Sequence, residues 1–436
     1  MISSPTTWLS RLAPAGIASA MALCAGCASS PPASTVPNTL HAASLERISR
    51  TIQADIDAGR LPGAVMVLHK DGKTVLNKAL GKRDPDASDA MQADSIFRIY
   101  SMTKPIVSVG LMMLVEEGKV QLADPVSKYL PEFKNLQLGV EKKDAAGNVT
   151  LERTPLAKVP GSREPTVQDI MSHSGGLTYG VFGKSLIKSE YLKAGVEQGQ
   201  VNNTEFAKRL ATLPLAYLPG TTWEYSRSTD LVGALIERVS GQTLGAFLQA
   251  RILTPLGMKD TGFWVPPEQQ GRIAQPFKQD PDSKAPVRLL DATKPPVFES
   301  GGGGMVSTAV DYLRFTRMLL AGGELDGVRL LSRKTLALMT SDHLGADVIR
   351  TSRMIGTTTG YLPGAGYGFG LGFAVRVAEG ESPSAGSVGD YAWGGLGGTY
   401  FWIDPKENLI AIWMMQGPFQ REYYRNLFKA QVYGAF

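Results

Sequence analysis

The sequence predicts an α+β fold: an antiparallel β-sheet flanked by helices and built from both chain ends, with an inserted, mainly helical lobe. Three observations predict it. Apolar runs separated by tight turns gather near the two ends, helix-period segments fill the middle, and the 436 residues exceed the roughly 100–200 of one typical domain. In order, Ala42–Ala58 sets Leu45, Ile48, Ile52 and Ile56 at helical spacing, with Gly59 following as a cap. Ala64–Lys70 and Thr74–Leu76 flank Asp71-Gly72, the strongest short-range hairpin signal. Met102–Glu117, Ser226–Val239, Ser307–Leu320 and Ser332–Met339 read as helices, several with serine at the cap position and glycine near the end. Leu136–Arg163, which contains Asp144-Ala145-Ala146-Gly147-Asn148, reads as a surface excursion. Strands return at Gly368–Val377, Tyr391–Trp393, Thr399–Ile403 and Leu409–Met415, and Arg421–Tyr433 closes the chain as a helix.

Composition narrows the chemistry. Lys+Arg 45 against Asp+Glu 40 gives +5, spread without basic runs, which argues against nucleic acid as a partner. The only cysteines are Cys24 and Cys27, so the chain beyond them holds no disulfide, thiolate nucleophile or cysteine-ligated metal. Residues 1–27 carry one charge, Arg11, before the apolar run Leu12–Cys27, and the Pro/Ser-rich linker 28–41 follows. That is the layout of a signal peptide, implying secretion to the periplasm. Its end, Cys24-Ala25-Gly26-Cys27, resembles a bacterial lipoprotein signal with Cys27 as the lipidated residue, although Cys24 stands where such signals carry leucine. Plain cleavage after a small residue, with release to the periplasm, is the alternative. The expected membrane contact is through this anchor alone, since no later stretch approaches the roughly 20 apolar residues of a span.

The four histidines (His41, His69, His173, His343) are too scattered for a metal site, and no Gly-x-Ser-x-Gly occurs. Ser101 and Lys104 stand out, at the junction of an extended segment and an apolar helix. Three residues apart on a helix, they share one face, and a serine in the first turn has its Oγ and N–H at the positive helix end. A hydroxyl nucleophile needs a base, and a lysine serves when burial lowers its pKa. Alone, this spacing is common and usually means a capping serine and a solvated lysine. His173-Ser174 is read as part of a turn, and Gly301–Gly304 as a close-packed turn before the Ser307 helix, because it lacks the lysine of a phosphate loop.

Context changes the weight of the Ser101 pair. Ser101-Met102-Thr103-Lys104, Glu116–Val126, Met171–Leu177 and Pro219–Ser226 together resemble the serine β-lactamase-like family of class C β-lactamases, D,D-peptidases and family VIII carboxylesterases. The resemblance runs from about residue 42 to 436 and implies a β-lactamase/transpeptidase-like catalytic domain, its sheet lobe about 42–100 and 291–436, its helical lobe about 101–290. It implies Ser101 as the acylated serine, Lys104 as its partner, and Tyr225 as the tyrosine of the Tyr-x-Asn element. Lys104 and Tyr225 are assigned the base role as a couple.

This chain departs from the β-lactamase pattern twice. Arg227 stands where those enzymes carry the asparagine that contacts an acylamide, and Trp393-Gly394-Gly395 stands in place of Lys-Thr-Gly. An indole and a glycine cannot clamp a substrate carboxylate. A backbone N–H can still serve an oxyanion, here that of Leu396 paired with that of Ser101. Family VIII esterases commonly carry Trp-Gly-Gly at this place. Tyr179 and Phe298 are candidates for the acyl pocket. The expectation is therefore a serine hydrolase of small to medium carboxylic esters, with no metal or organic cofactor and a small-molecule ester, or alternatively a β-lactam, as its partner. A β-lactamase or D-amino-acid peptidase on the same fold is the first rival, and a catalytically silent envelope protein the second.

Overall fold

The computed structural model describes residues 39–197, 199–350 and 364–436, so the expected signal peptide and Cys27 lie outside the described residues. Helix α1 (Ala42–Asp57) buries Ile48 and Ile52, two points of the apolar stripe, and ends before Gly59 at φ 69°. Strands β1 (Gly63–Lys70) and β2 (Lys73–Gly81) follow. Between them Asp71 and Gly72 both take positive φ, 50° and 76°, the pattern that the Asp-Gly pair favours in a two-residue hairpin.

Helix α2 (Thr103–Glu116), helix α3 (Ser228–Ser240) and helix α4 (Ala309–Leu320) belong to the helical part, with α2 packed on α3. The C-terminal strands are β3 (Tyr367–Phe369), β4 (Ala374–Arg376), β5 (Tyr391–Gly394), β6 (Tyr400–Asp404) and β7 (Leu409–Met415), and helix α5 (Arg421–Tyr433) ends the fold. The seven-stranded sheet runs β3-β4-β5-β6-β7-β1-β2, with β1 antiparallel to β7 through Val65 opposite Met414. Both chain ends therefore build one sheet.

Strand β1 is buried along its whole length because both faces of the sheet are covered. Ala64, Met66 and Leu68 face Trp402, Trp413 and Phe428 beneath α1 and α5. Val65 and Val67 join the larger core shared with α2, α3 and α4. Helix α2 is buried almost all round, as its sequence Pro105–Leu114, apolar but for Ser108, requires. Sheet and helical regions thus share one core, and Thr39–Phe436 is one compact unit.

One local expectation is corrected, and the surface excursion at Leu136–Arg163 gains detail. Gly368–Val377 is not one strand but the hairpin β3–β4. Gly370 lies so close to Met339 that a Cβ would sit 2.1 Å from its carbonyl oxygen, and Gly372 has φ 101°, so the glycines turn the chain within an apolar run. Leu136–Arg163 holds an ordered hairpin, Gln137–Lys143 with Val149–Pro155, its turn fastened by Asp144 accepting from the Asn148 N–H at 2.8 Å.

Candidate active site

Tyr100, at φ 43°, turns the chain out of Phe97–Arg98 into a short 3₁₀ turn, Tyr100–Met102, that leads directly into α2. A non-glycine residue in the left-handed region stores strain, and here it immediately precedes Ser101. The Tyr100 hydroxyl anchors the bend by accepting from the Leu290 N–H at 2.7 Å. The fold brings Ser101, Lys104 and Tyr225 together. The Tyr225 hydroxyl donates to Ser101 Oγ at 2.6 Å, and Lys104 Nζ lies 3.4 Å from the same oxygen.

Lys104 is fully buried. Its Nζ donates to the Gly302 carbonyl at 2.6 Å and to the Tyr179 hydroxyl at 3.1 Å. Burial pushes its pKa down to about 7; Asp230 opposes the shift and Arg227 adds to it. A neutral amine has two N–H bonds and one lone pair. The carbonyl and the Tyr179 hydroxyl take the donors, which leaves the lone pair for the serine proton. Burial also holds the Tyr179 hydroxyl well above an ordinary phenol, so it stays protonated.

Asp230, in the first turn of α3, fixes the acceptor that Lys104 uses. One carboxylate oxygen accepts from the Gly302 N–H at 2.9 Å and from Ser300 Oγ at 2.5 Å, the other from Arg227 at 3.1 Å. A Cβ on Gly302 would meet that carboxylate at 2.6 Å, which is why this turn carries glycine. The Gly301–Gly304 turn therefore belongs to the site as well as to the packing.

Leu396 follows β5 in a loop whose Gly395 N–H donates to the Thr399 carbonyl at 2.8 Å, and Thr399 Oγ1 donates to the Ile99 carbonyl at 3.3 Å. That second bond ties the loop to the segment carrying Ser101. Leu396 and Ser101 line one cleft of about 410 Å³ with Tyr179, Phe182, Tyr225, Arg227 and Phe298. Trp393, Gly394 and Gly395 are not among its lining residues. The Trp393 ring packs behind Tyr225 at 5.5 Å and edge-on to Phe369 at 5.3 Å. His173 lies on the same aromatic cluster, 5.1 Å from the Tyr225 ring, with Nδ1 bonded to Ser226 Oγ at 3.0 Å. Its role there is packing.

Arg227 reaches the cleft already paired. It bonds Glu197 and Asp230 and lies over the Tyr179 ring at 4.8 Å. Burial alone would lower its pKa, but Asp230, Tyr179 and Glu197 more than offset that, and it stays charged. Glu197, Asp230, Ser300 and the Gly302 carbonyl went unnoticed in the sequence. Only Asp230, five residues beyond Tyr225 and one turn into a helix, offered any local signal.

This fold, with serine, lysine and tyrosine meeting at one oxygen, defines the class of β-lactamase-like serine hydrolases and acyltransferases. Residues 48–433 match the Beta-lactamase family, and the chain belongs to it. It is 36% identical over 371 residues to Protein Rv1367c of Mycobacterium tuberculosis, covering 84% of this chain and 88% of that one. It is 30% identical over 393 residues to Esterase EstB of Burkholderia gladioli, covering 84% and 89%. Among solved structures it is similar to EstCE1, described as a hydrolase with promiscuous acyltransferase activity, at 25% identity and a TM-score of 0.72, covering 90% of this chain and 98% of that one. The protein is thus a serine hydrolase of the β-lactamase fold with esterase homologues.

Proposed function

We propose that the protein hydrolyses carboxylic esters with small to medium neutral acyl groups through an acyl-enzyme on Ser101. The observation that carries this reading is Ser101 Oγ held between the Tyr225 hydroxyl at 2.6 Å and a buried Lys104 amine at 3.4 Å. Ser101 Oγ attacks the ester carbonyl carbon while its proton passes to the Lys104–Tyr225 couple, directly to Nζ or through the phenol. The N–H groups of Ser101 and Leu396 receive the oxyanion. Collapse breaks the bond to the alkoxy oxygen, which leaves as the alcohol carrying that proton. Water then attacks the acyl carbon and gives a proton to the couple, and as the bond to Ser101 Oγ breaks that proton passes to the serine oxygen, freeing the carboxylic acid and restoring Ser101. An alcohol in place of water turns the second half into acyl transfer, the activity described for EstCE1. Tyr179, Phe182 and Phe298 supply an apolar wall for the acyl chain within a cleft of about 410 Å³.

A β-lactamase or peptidase reading needs a cation for the substrate carboxylate. Among the described residues lining the cleft the only cation is Arg227, and two carboxylates already bind it. The test is turnover of p-nitrophenyl butyrate beside a chromogenic cephalosporin, for the native protein and Ser101→Ala. Butyrate turnover that vanishes in the variant, with the cephalosporin hydrolysed far more slowly by the native protein, is expected. Undiminished turnover in Ser101→Ala ends the nucleophile assignment.

A further inference from the structure

Among the described residues lining the cleft, the one cation, Arg227, is paired from the cleft side by the carboxylate of Glu197 and from behind by that of Asp230. Glu197 comes from the connection between the Leu186–Lys193 helix and the Asn203–Ala211 helix, far in sequence from Arg227. One of its carboxylate oxygens accepts from the Gly180 N–H at 2.8 Å; the other takes an Arg227 N–H. Both side chains are nearly buried, at 8% and 11% exposure, yet both reach the cleft that holds Ser101. The remaining Arg227 terminal nitrogen goes to Asp230, and its Nε has no hydrogen-bond partner among the described residues.

Arg227 would be a ready carboxylate receptor: planar, always charged, immobilised over the Tyr179 ring. Glu197 holds the place that a substrate carboxylate would take. Asp230, buried behind the cleft, binds the other side of Arg227, and Asp291 adds a further carboxylate to the lining, which formally sets two carboxylates against one cation. A third carboxylate would enter against like charge.

We propose that Glu197 is a specificity-determining residue which, by occupying the guanidinium of Arg227, excludes acyl groups ending in a carboxylate, so that its removal turns Arg227 into a receptor for hemiesters of dicarboxylic acids. The proposal rests on the esterase reading above. It predicts a change in substrate range rather than a loss.

The probes are p-nitrophenyl butyrate and the mono-p-nitrophenyl esters of succinic, glutaric and adipic acid, the series covering the unknown span from Ser101 to Arg227. In the native enzyme kcat/KM for every hemiester should fall well below that for butyrate. In Glu197→Gln the best hemiester-to-butyrate ratio should rise by about ten- to a hundredfold, the worth of one charge-assisted hydrogen bond. The gain should disappear in Glu197→Gln/Arg227→Met. A native enzyme that hydrolyses any hemiester as efficiently as butyrate overturns the proposal without a variant being made. So does an unmoved ratio in folded Glu197→Gln, or in Glu197→Ala where the glutamine variant does not accumulate, and so does a gain that survives loss of Arg227. Butyrate turnover surviving in Ser101→Ala would instead overturn the underlying esterase reading, and the two failures cannot be confused.

Discussion

Lys104→Met isolates the energetic consequence of burying a lysine beside Ser101. Lys104 is fully buried, and its pKa is held at about 7 against an ordinary 10.5. Below pH 7 both folded and unfolded chains carry the proton, and the folded chain bears the full penalty of a buried charge. At 1.36 kcal/mol per pKa unit, that penalty is on the order of 4–5 kcal/mol. Between pH 7 and 10.5 the unfolded chain binds more protons than the folded one, so stability from this group rises with pH and the penalty fades. By pH 9 about half of it remains, a change of roughly 2 kcal/mol from pH 7. Methionine does not titrate, and its lost bonds to Gly302 and Tyr179 cost the same at either pH. Urea unfolding of native protein and Lys104→Met, at pH 7 and pH 9, should show the variant's relative stability falling by roughly 2 kcal/mol as pH rises. A difference that stays flat across that window would mean Lys104 titrates normally, and the argument for a neutral amine at Ser101 would fail.

Two more outcomes follow from the same geometry. If the active form needs neutral Lys104, kcat/KM for p-nitrophenyl butyrate should fall about tenfold per pH unit below about 7; Asp230→Asn, which removes the charge that raises the Lys104 pKa, should move that acid limb to lower pH and destabilise the fold by roughly 1–3 kcal/mol. Gly394→Thr, the change that would restore a β-lactamase-like hydroxyl, should destabilise the protein by roughly 1–3 kcal/mol in thermal unfolding, because a Cβ there meets the Arg425 guanidinium at 2.6 Å.

The parts of the site that were legible are those whose chemistry is local in sequence. Ser101 and Lys104 face each other because helix geometry puts positions three apart on one side, and their spacing states that in full. Tyr225 became visible through its motif, since nothing local says that a loop tyrosine will lie beside residue 101. The paired ends of the sheet were legible because Asp71-Gly72 and the long apolar run Leu409–Met415 leave few alternatives. The hairpin inside Gly368–Val377 was hidden because both its strands and its turn are buried, so no polar residue marks the reversal. Glu197 was invisible for another reason. A glutamate in a polar stretch looks solvated until the fold sets Arg227 against it. Trp393 was assigned a clamp's position by alignment, but alignment cannot tell which side of a strand opens on the cleft.

The charges around Lys104 also tie specificity to acid–base behaviour. Asp230 touches both the turn that holds the lysine and the arginine that lines the cleft. Arg227 lowers the Lys104 pKa and Asp230 raises it, so whatever balances Arg227 also sets the protonation of the base. In the native site Glu197 pairs with Arg227 within the protein, so the charge of that arginine is compensated before a substrate arrives. Were the balancing carboxylate part of the substrate, Arg227 would be less compensated in the free enzyme and more so in the complex, and the base would change strength on binding. Keeping the counter-ion inside the protein removes that dependence. On the ester reading proposed above, the arrangement suits neutral esters for two separate physical reasons: among the described residues of the cleft wall no cation is left without a carboxylate partner, and the pKa of Lys104 is lowered by the protein itself.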